Sequence, residues 1–439
     1  MVAFVKNALL GILVASSCGM NPAGSDGGAS GGTASTGGGS SSAGGSAAGG
    51  SAAGGNAAGG NAAGGNAAGG STAGGNAAGG NAAGGNAAGG NAAGGNAAGG
   101  APTGRLVAYV GSGNGNITAY SVNVSTGAMT SLGSTNGGTN PSFLAFDVPR
   151  GRLYAVNEGN PGQVAAFELR PDAGLALLNR VSSQGAGPAH VSVEPSGRWV
   201  MVANYTGGNV AVLPVRGGDG GLGPATDTDP SGGQAHQILT DATGRFVYVP
   251  CKAADHVAQY RFDGDAGTLS ALTPPTVATA AGAGPRHLAL HPGGQWAFLI
   301  NELDDTMTSM RVAADGRLTA VDTKSTLPAG FSGNNTCAEV QVHPNGRFVF
   351  GSNRGHNSIV SFEINEQTGA LTLVGHAATG GNQPRHFELD PSGRLILVGN
   401  QGSGTVHALS VNATTGVLTP LGLQATVNSP AFVGMTLLP

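Results

Sequence analysis

Two short segments that frame one predicted β-hairpin carry residue types suited to proton transfer and anion binding. Arg286 and His287 stand where the first apolar run begins, and Glu302 follows the second run. Histidine and glutamate can move protons near neutral pH, and arginine binds carboxylates and phosphates through charge-assisted hydrogen bonds. Charged residues make up only 10% of the chain. Their concentration at the two ends of one hairpin therefore indicates a functional site.

This hairpin belongs to a repeat that occurs seven times. Successive copies start 46 to 52 residues apart, at Pro141, Pro188, Gln234, Pro285, Cys337, Pro384 and Pro430. A period of this size is typical of solenoids and propellers. Each full copy has apolar runs separated by Pro/Gly turns and no 3.6-residue period, which predicts four antiparallel strands. The sequence therefore predicts an all-β fold: a seven-bladed β-propeller with four-stranded antiparallel blades.

The two ends of the repeat region complete each other. The copy at Pro430 stops after its first strand, whereas the region begins near Leu106 with AYVGSGNGNITAYSV, which matches the second and third strands of a copy. We therefore expect the N- and C-terminal strands to pair within one blade, which closes the propeller and removes its open edges.

In an antiparallel hairpin the first strand begins beside the end of the second strand. Aligning the copies therefore places variable polar residues at one end of the predicted channel, which we call the mouth. The third position holds Phe143, His190, His236, His287, Glu339, His386 and Phe432. The second position holds Ser142, Ala189, Ala235, Arg286, Ala338, Arg385 and Ala431, and the end of the second strand holds Glu158, Tyr205, Cys251, Glu302, Arg354 and Gln401. Variation at these positions on a repeating scaffold predicts one asymmetric site. Asparagine precedes the strand-end position in five blades, and we expect these asparagines to be structural.

The first hundred residues differ in composition from the repeat region. A lysine followed by an apolar stretch and small residues predicts a signal peptide over residues 1–18, and Ala15-Ser16-Ser17-Cys18 resembles a lipoprotein box, in which the cysteine is lipidated. Residues 19–102 consist almost entirely of Gly, Ala, Ser and Asn, which predicts a disordered tether. The propeller domain is therefore predicted over residues 103–439. We expect an exported protein of the periplasm or cell envelope, with membrane contact only through a lipid on Cys18.

Composition narrows the partners and cofactors. The net charge of −4 argues against nucleic acid as a partner. Beyond Cys18 the chain has only Cys251 and Cys337, too few for a disulfide framework. No glycine-rich phosphate loop and no Ser-His-Asp signature occurs, and we expect no cofactor, no metal ion and a monomer. Acidic groups such as Glu158 and Glu302, together with histidines, leave a metal-binding set open as an alternative.

Five motifs in the repeat carry a family resemblance: GPRHLALHP (284–292), NEL (301–303), AEV (338–340), SNRGHNSI (352–359) and PRHFELDPSG (384–393). They resemble the lactonase family of seven-bladed propellers, which includes propeller-type 6-phosphogluconolactonases and carboxy-muconate cyclases. The resemblance covers nearly all of residues 105–439. It implies a small-molecule lactone substrate and a site of one histidine, two arginines and one glutamate, which correspond to His236, Arg286, Glu302 and Arg354.

The resemblance implies a hydrolytic mechanism. Either Glu302 or His236 would activate a water molecule, while Arg286 and Arg354 would bind the oxyanion or an anionic group of a sugar lactone. A second set would contact the substrate or orient the first group: His190, His287, Glu339, Arg385, His386, Glu158 and Tyr205.

Two other functions remain open. One is a non-catalytic, exported binding protein, because residues 229–236 and 251–253 depart from the pattern of the family. The other is a muconate-type cyclase or cycloisomerase, which would use the same arginines but form a lactone ring.

Overall fold

The computed structural model describes residues 104–439. The predicted signal peptide, Cys18 and the tether lie outside the described residues. Between residues 104 and 439 the strands form seven four-stranded antiparallel sheets, which confirms the predicted seven-bladed propeller. In this part of the chain, no helix has both the length and the apolar character needed to cross a membrane.

In chain order the strands are β1 (Arg105–Ser112), β2 (Asn116–Val122), β3 (Met129–Asn136), β4 (Leu144–Asp147), β5 (Arg152–Asn157), β6 (Gln163–Leu169), β7 (Leu175–Ser182), β8 (Pro188–Val193), β9 (Trp199–Asn204), β10 (Asn209–Pro214), β11 (Asp227–Asp229), β12 (Leu239–Thr240), β13 (Phe246–Cys251), β14 (His256–Asp263), β15 (Thr268–Ala278), β16 (Pro285–Leu290), β17 (Trp296–Asn301), β18 (Thr306–Val312), β19 (Leu318–Ser325), β20 (Cys337–Val342), β21 (Phe348–Asn353), β22 (Ser358–Ile364), β23 (Leu371–Ala378), β24 (Pro384–Leu389), β25 (Leu395–Asn400), β26 (Thr405–Val411), β27 (Leu418–Thr426) and β28 (Pro430–Leu438). Short 3-10 helices span Val148–Arg150 and Lys252–Ala254.

The last strand closes the propeller. The closing sheet has the order β28-β1-β2-β3, so the C-terminal strand supplies the innermost strand of a blade that the N-terminal strands complete. The pairing is antiparallel and runs from Arg105 opposite Leu438 to Gly111 opposite Phe432. The predicted closure by terminal strands is therefore confirmed.

Apolar residues are buried between neighbouring blades. Leu239 and Tyr248 of one blade, for example, share a buried cluster with Leu288 and Leu299 of the next. Both faces of a blade meet a neighbour, and all six residues of β9 are accordingly buried. Each blade thus stabilises the next, and the inner strands are held rigidly around the channel.

The recurring asparagines stabilise the loops, as predicted. Their side-chain amides donate hydrogen bonds of 2.7–3.0 Å from Asn157 to Gly137 O, from Asn204 to Ser183 O, from Asn353 to Thr326 O and from Asn400 to Thr379 O. Asn301 instead donates to Thr306 Oγ1 at 2.8 Å. These bonds fix the strand ends beside the mouth.

The predicted alignment of the third copy was wrong by one residue. The Lys252 N–H donates to Gln234 O, just as the Glu302 N–H donates to Gly284 O. Ala235 forms an isolated antiparallel β-bridge with Cys251, which corresponds to the pairing of Pro285 with Asn301 in the next blade.

The copy therefore starts at Ala235, and the three mouth positions of this copy hold different residues from those predicted. His236 occupies the second position, Gln237 the third, and Lys252 replaces Cys251 at the strand end. The cause lies in the irregular start of this blade, whose innermost regular strand, β12, has only two residues.

Candidate active site

Two groups of side chains face the channel axis, one at the mouth and one beneath it. The mouth cluster contains His236, Arg286 and Arg385 from second positions and Glu158, Tyr205, Lys252, Glu302 and Arg354 from strand ends. The channel cluster contains the third-position residues Phe143, His190, Gln237, His287, Glu339, His386 and Phe432. The propeller brings residues from different blades together because every copy presents these positions to the axis.

Glu302 is surrounded by three cations. Its Oε1 lies 2.8 Å from Lys252 Nζ and 3.1 Å from an Nη of Arg354, and its Oε2 lies 3.2 Å from Arg286 Nε. Burial alone would raise the pKa of Glu302, but Arg286, Arg354 and Lys252 outweigh burial and lower that pKa. The carboxylate is therefore ionised at neutral pH, and both of its oxygens are engaged.

Main-chain carbonyls hold two of the arginines from the other side. Arg286 Nη1 donates to Ala338 O at 2.6 Å, and Arg354 Nη2 donates to Cys337 O at 2.8 Å. The contact of Arg286 Nε with Glu302 is an ion pair without hydrogen-bond geometry. In the part of the chain that the structure describes, this Nε and Arg354 Nε are buried without a hydrogen-bond partner. Burial, followed by the charges of neighbouring arginines, lowers the pKa of Arg286, yet a guanidinium stays charged at neutral pH.

Arg385 differs from the other two arginines because, within residues 104–439, its guanidinium has no ion pair and no hydrogen bond. It is partly exposed, whereas Arg286 is only 2% exposed. Burial and Arg354 lower the pKa of Arg385, and Glu158 and Glu302 act in the opposite direction. The mouth cluster therefore has four cations and two carboxylates, which favours an anionic ligand, and Arg385 has free donors for it.

His236 connects the two clusters. Its Nδ1 lies 3.1 Å from His287 Nε2, and its ring lies 5.3 Å from the ring of Tyr205. Burial, followed by the charges of Arg286 and Arg385, lowers the pKa of His236 well below 6.5. The imidazole is therefore neutral at pH 7, and its Nε2 has no hydrogen-bond partner among the described residues. A neutral imidazole with a free nitrogen can accept a proton from water.

The channel cluster is buried beneath the mouth. The ring of Phe143 lies 4.1 Å from that of His190 and 5.3 Å from that of His386. Glu339 Oε2 lies 2.9 Å from His287 Nδ1 and 3.2 Å from His386 Nε2. These residues are at most 4% exposed.

The remaining predicted residues, Glu158 and Tyr205, do lie at the mouth. Glu158 accepts a hydrogen bond of 3.0 Å from Asn140 Nδ2, and Tyr205 Oη accepts one of 3.3 Å from Lys252 Nζ. Both side chains are partly exposed and can contact a ligand.

Sequence reasoning missed Lys252. The alignment that begins at Gln234 places Cys251 at the strand end and Lys252 beyond it. The turn at Asp241–Gly244 matches the turn at His291–Gly294, and aligning these two turns would have placed Lys252 in the column of Glu302.

The two cysteines do not pair: Cys251 and Cys337 are both free and buried. Within residues 104–439, no three His, Cys, Asp or Glu side chains are grouped so as to hold a metal ion.

The chain is a closed seven-bladed propeller with a buried histidine and a cationic cluster at one mouth. The chain belongs to the family described as "Lactonase, 7-bladed beta-propeller", whose model matches residues 106–435.

Three relatives illustrate the similarity. A 6-phosphogluconolactonase of Pectobacterium carotovorum is 38% identical over 207 residues, which cover 47% of this chain and 61% of that protein. A 6-phosphogluconolactonase of Bacillus subtilis is 31% identical over 259 residues, which cover 56% of this chain and 73% of that protein. The structure of a periplasmic gluconolactonase from Pseudomonas aeruginosa superposes with a TM-score of 0.72 at 28% identity, covering 76% of this chain and all of that one.

Proposed function

We propose that this protein hydrolyses the ring of a small sugar lactone that carries an anionic group, as a 6-phosphogluconolactonase does. Membership of the lactonase family and the names of the relatives support the reaction class. The observation that carries the proposal is the juxtaposition of a neutral His236, whose Nε2 has no hydrogen-bond partner within residues 104–439, and a cluster of arginines. Lactone hydrolysis needs both a base for water and positive charge for the developing oxyanion.

His236 is the better of the two predicted bases. Glu302 uses both oxygens for Lys252, Arg286 and Arg354, and its pKa is lowered, so it is a weak proton acceptor. We assign Glu302 to ordering and neutralising these cations. His236 has a free nitrogen and accepts the proton.

The reaction follows in two steps. His236 Nε2 takes a proton from water as the water oxygen attacks the lactone carbonyl, and the carbonyl oxygen becomes an oxyanion beside Arg286 and Arg354. The tetrahedral intermediate then expels the ring oxygen, which receives the proton from the His236 imidazolium. The products are a hydroxyl group and a carboxylic acid, which releases its proton to solvent and becomes a carboxylate, and the histidine returns to its neutral form.

Arg385 supports the proposed anionic substrate. Its free guanidinium hydrogens suit a phosphate or carboxylate distant from the ring carbonyl. Tyr205 and Glu158 would then contact the sugar hydroxyls.

A panel of lactones tests this proposal. The full chain is mixed with gluconolactone, 6-phosphogluconolactone and a carboxylated lactone, and proton release is followed after subtraction of spontaneous hydrolysis. We expect turnover of an anionic lactone and loss of turnover in Arg286→Ala with the fold retained by circular dichroism. Absence of turnover on every lactone would favour the non-catalytic binding protein, and consumption of a muconate would favour the cyclase.

We also propose that the protein is exported and anchored by a lipid on Cys18. The sequence of residues 1–18 supports this proposal, as does the similarity to a periplasmic gluconolactonase. Metabolic labelling with a radioactive fatty acid tests it: the wild type should be labelled and Cys18→Ser should not. Labelling of neither protein, with both found in the soluble periplasmic fraction, would refute the anchor.

A further inference from the structure

The hydroxyl group of Tyr205 has a hydrogen that is free to be donated. Its Oη accepts a hydrogen bond of 3.3 Å from Lys252 Nζ, and an ammonium group can only donate. The hydroxyl hydrogen is therefore not used in this contact, and no acceptor for it lies among residues 104–439. Because the side chain is partly exposed at the mouth, this hydrogen is available to a bound ligand.

Lys252 is held in place from its other side. Its Nζ donates to Glu302 Oε1 at 2.8 Å, which is the only hydrogen bond to this carboxylate in the part of the chain that the structure describes. The contacts of Glu302 with Arg286 and Arg354 are ion pairs. Lys252 follows β13, whereas Tyr205 and Glu302 follow β9 and β17 in the two adjoining blades. Hydrogen bonds through Lys252 therefore connect the strand ends of three successive blades.

Tyr205 also contacts the proposed base. Its ring and that of His236 meet edge to face, with 5.3 Å between their centres and 76° between their planes. The ammonium group of Lys252 lies 5.8 Å from the centre of the same tyrosine ring. Tyr205 therefore combines a free hydroxyl hydrogen, a fixed cation at its oxygen and contact with His236.

We propose that Tyr205 is a further catalytic residue, which gives its hydroxyl hydrogen to the ring oxygen of the lactone as the ring opens. Lys252 is then a positioning residue that holds the phenol oxygen and stabilises the negative charge that develops on it. The proposal rests on the proposed function. It also specifies the contact of Tyr205 with sugar hydroxyls, because the ring oxygen becomes a hydroxyl group on opening.

The protons of the ring-opening step balance. When the bond between the carbonyl carbon and the ring oxygen breaks, its electron pair goes to the ring oxygen, which takes the proton of Tyr205. The phenolate that remains beside Lys252 takes the proton that His236 received from water. The net transfer is still from the His236 imidazolium to the ring oxygen, and both Tyr205 and His236 return to their starting forms.

The basicity of the departing oxygen distinguishes an acid catalyst from a residue that only binds substrate. A sugar alkoxide is a strong base and must be protonated as it departs. A phenolate is a much weaker base, since a phenol has an ordinary pKa of about 10, and it departs with little assistance. Loss of an acid catalyst should therefore slow only the lactone that releases an alkoxide, whereas loss of a binding contact should affect both lactones alike.

Tyr205→Phe tests the proposal on two carboxylated lactones, one that releases an aliphatic alcohol and one, a carboxylated dihydrocoumarin, that releases a phenol. On the first lactone we expect kcat to fall by about 10²-fold or more with KM nearly unchanged, since general acid catalysis contributes about 10²–10⁴-fold. On the second, kcat should fall far less. An unchanged kcat on the first lactone, or equal losses on both, would overturn the proposal.

Tyr120→Phe is the matched control. Tyr120 lies on β2 in a buried apolar cluster of the closing blade, away from the mouth. This variant also removes one phenol oxygen, and it should leave kcat on both lactones unchanged. A fall as large as that of Tyr205→Phe would show that loss of a tyrosine hydroxyl acts through the fold, and the proposal would fail.

Combining Tyr205→Phe with Lys252→Met tests the role of Lys252. If Lys252 acts through Tyr205, Lys252→Met should lower kcat on the aliphatic lactone in the wild type but cause no further fall in Tyr205→Phe. A fall by the same factor in both backgrounds would show that Lys252 acts independently of Tyr205, for example through Glu302, and would overturn its assignment.

The same measurements separate this inference from the proposed function. A wild type that hydrolyses neither lactone would refute the proposed function, and the inference would fall with it. A wild type that opens the aliphatic lactone while Tyr205→Phe, folded by circular dichroism, keeps the same kcat would refute the inference alone.

Discussion

Replacing Glu302 by Gln should destabilise the propeller. The substitution keeps the shape of the side chain but removes the only carboxylate among residues 104–439 that lies within 3.2 Å of Lys252, Arg286 and Arg354. Arg286 has a side chain only 3% exposed, so its charge would remain buried without a counterion. Removing one partner of a buried ion pair costs about 3–5 kcal/mol.

This magnitude can be measured by thermal unfolding. With an unfolding entropy of about 2 cal/mol/K per residue, a loss of 3–5 kcal/mol lowers the Tm of a domain of this length by roughly 4–7 °C. The matched control is Glu158→Gln, because Glu158 is partly exposed and bonds the neutral amide of Asn140. This control should shift the Tm by no more than about 1 °C, as expected for a surface substitution within about 0.5 kcal/mol. Both variants are compared in a buffer without phosphate, which could replace the missing carboxylate.

The pH dependence gives a further check on Glu302. Because its pKa is lowered in the folded protein, its contribution is fully present above the ordinary value of 4.5 and is lost as the pH falls through the lowered pKa. The difference in Tm between wild type and Glu302→Gln should therefore be greatest near neutral pH and shrink below pH 4.5. Equal Tm values for the two proteins at pH 7 would refute the three-cation arrangement.

Three further predictions concern the other residues of the mouth. Lys252→Met should lower the Tm by less than half as much as Glu302→Gln, because Arg286 and Arg354 still neutralise the carboxylate; an equal or larger loss would contradict this ranking. Arg385→Met should raise KM for a phosphorylated lactone by about 10-fold or more, as expected for a lost charge-assisted hydrogen bond of about 1.5–3 kcal/mol, and should leave KM for a neutral lactone unchanged. The acidic decline of kcat/KM in the wild type should lie below pH 6.5, since neutral His236 is the proposed base and burial, Arg286 and Arg385 lower its pKa. A decline at or above pH 6.5 would exclude His236 as the group that titrates.

The fold could be predicted from the sequence because every blade repeats the same apolar hairpin. The repeat predicted seven blades and the closure by β1 and β28, both of which the structure confirms. The turns set the register within a blade, and copies with a regular first strand were aligned correctly. The third copy was displaced by one residue because its first strand is interrupted before Leu239, and the copy start was read from Gln234 rather than from the turn at Asp241–Gly244.

The site could be predicted only in part. The position of Arg286 and Glu302 at one mouth follows from hairpin geometry, and the structure places them 3.2 Å apart. The depth of a side chain within the channel cannot be inferred from the residue types at equivalent positions of the copies. The sequence therefore could not show that His287 contacts His236 or that Glu339 contacts His287 in a buried cluster. The ion pair between Lys252 and Glu302 could be predicted only with the corrected alignment of the third copy.

The most direct test of the central claim is the rate of lactone hydrolysis by His236→Gln. Proton release is measured for the wild type and the variant on the best anionic lactone, with Tm and circular dichroism as controls for folding. We expect kcat to fall by about 10²–10⁴-fold, which is the usual contribution of a general base, while KM changes little. A folded variant that keeps the kcat of the wild type would show that His236 is not the base, and the proposed mechanism would then be wrong.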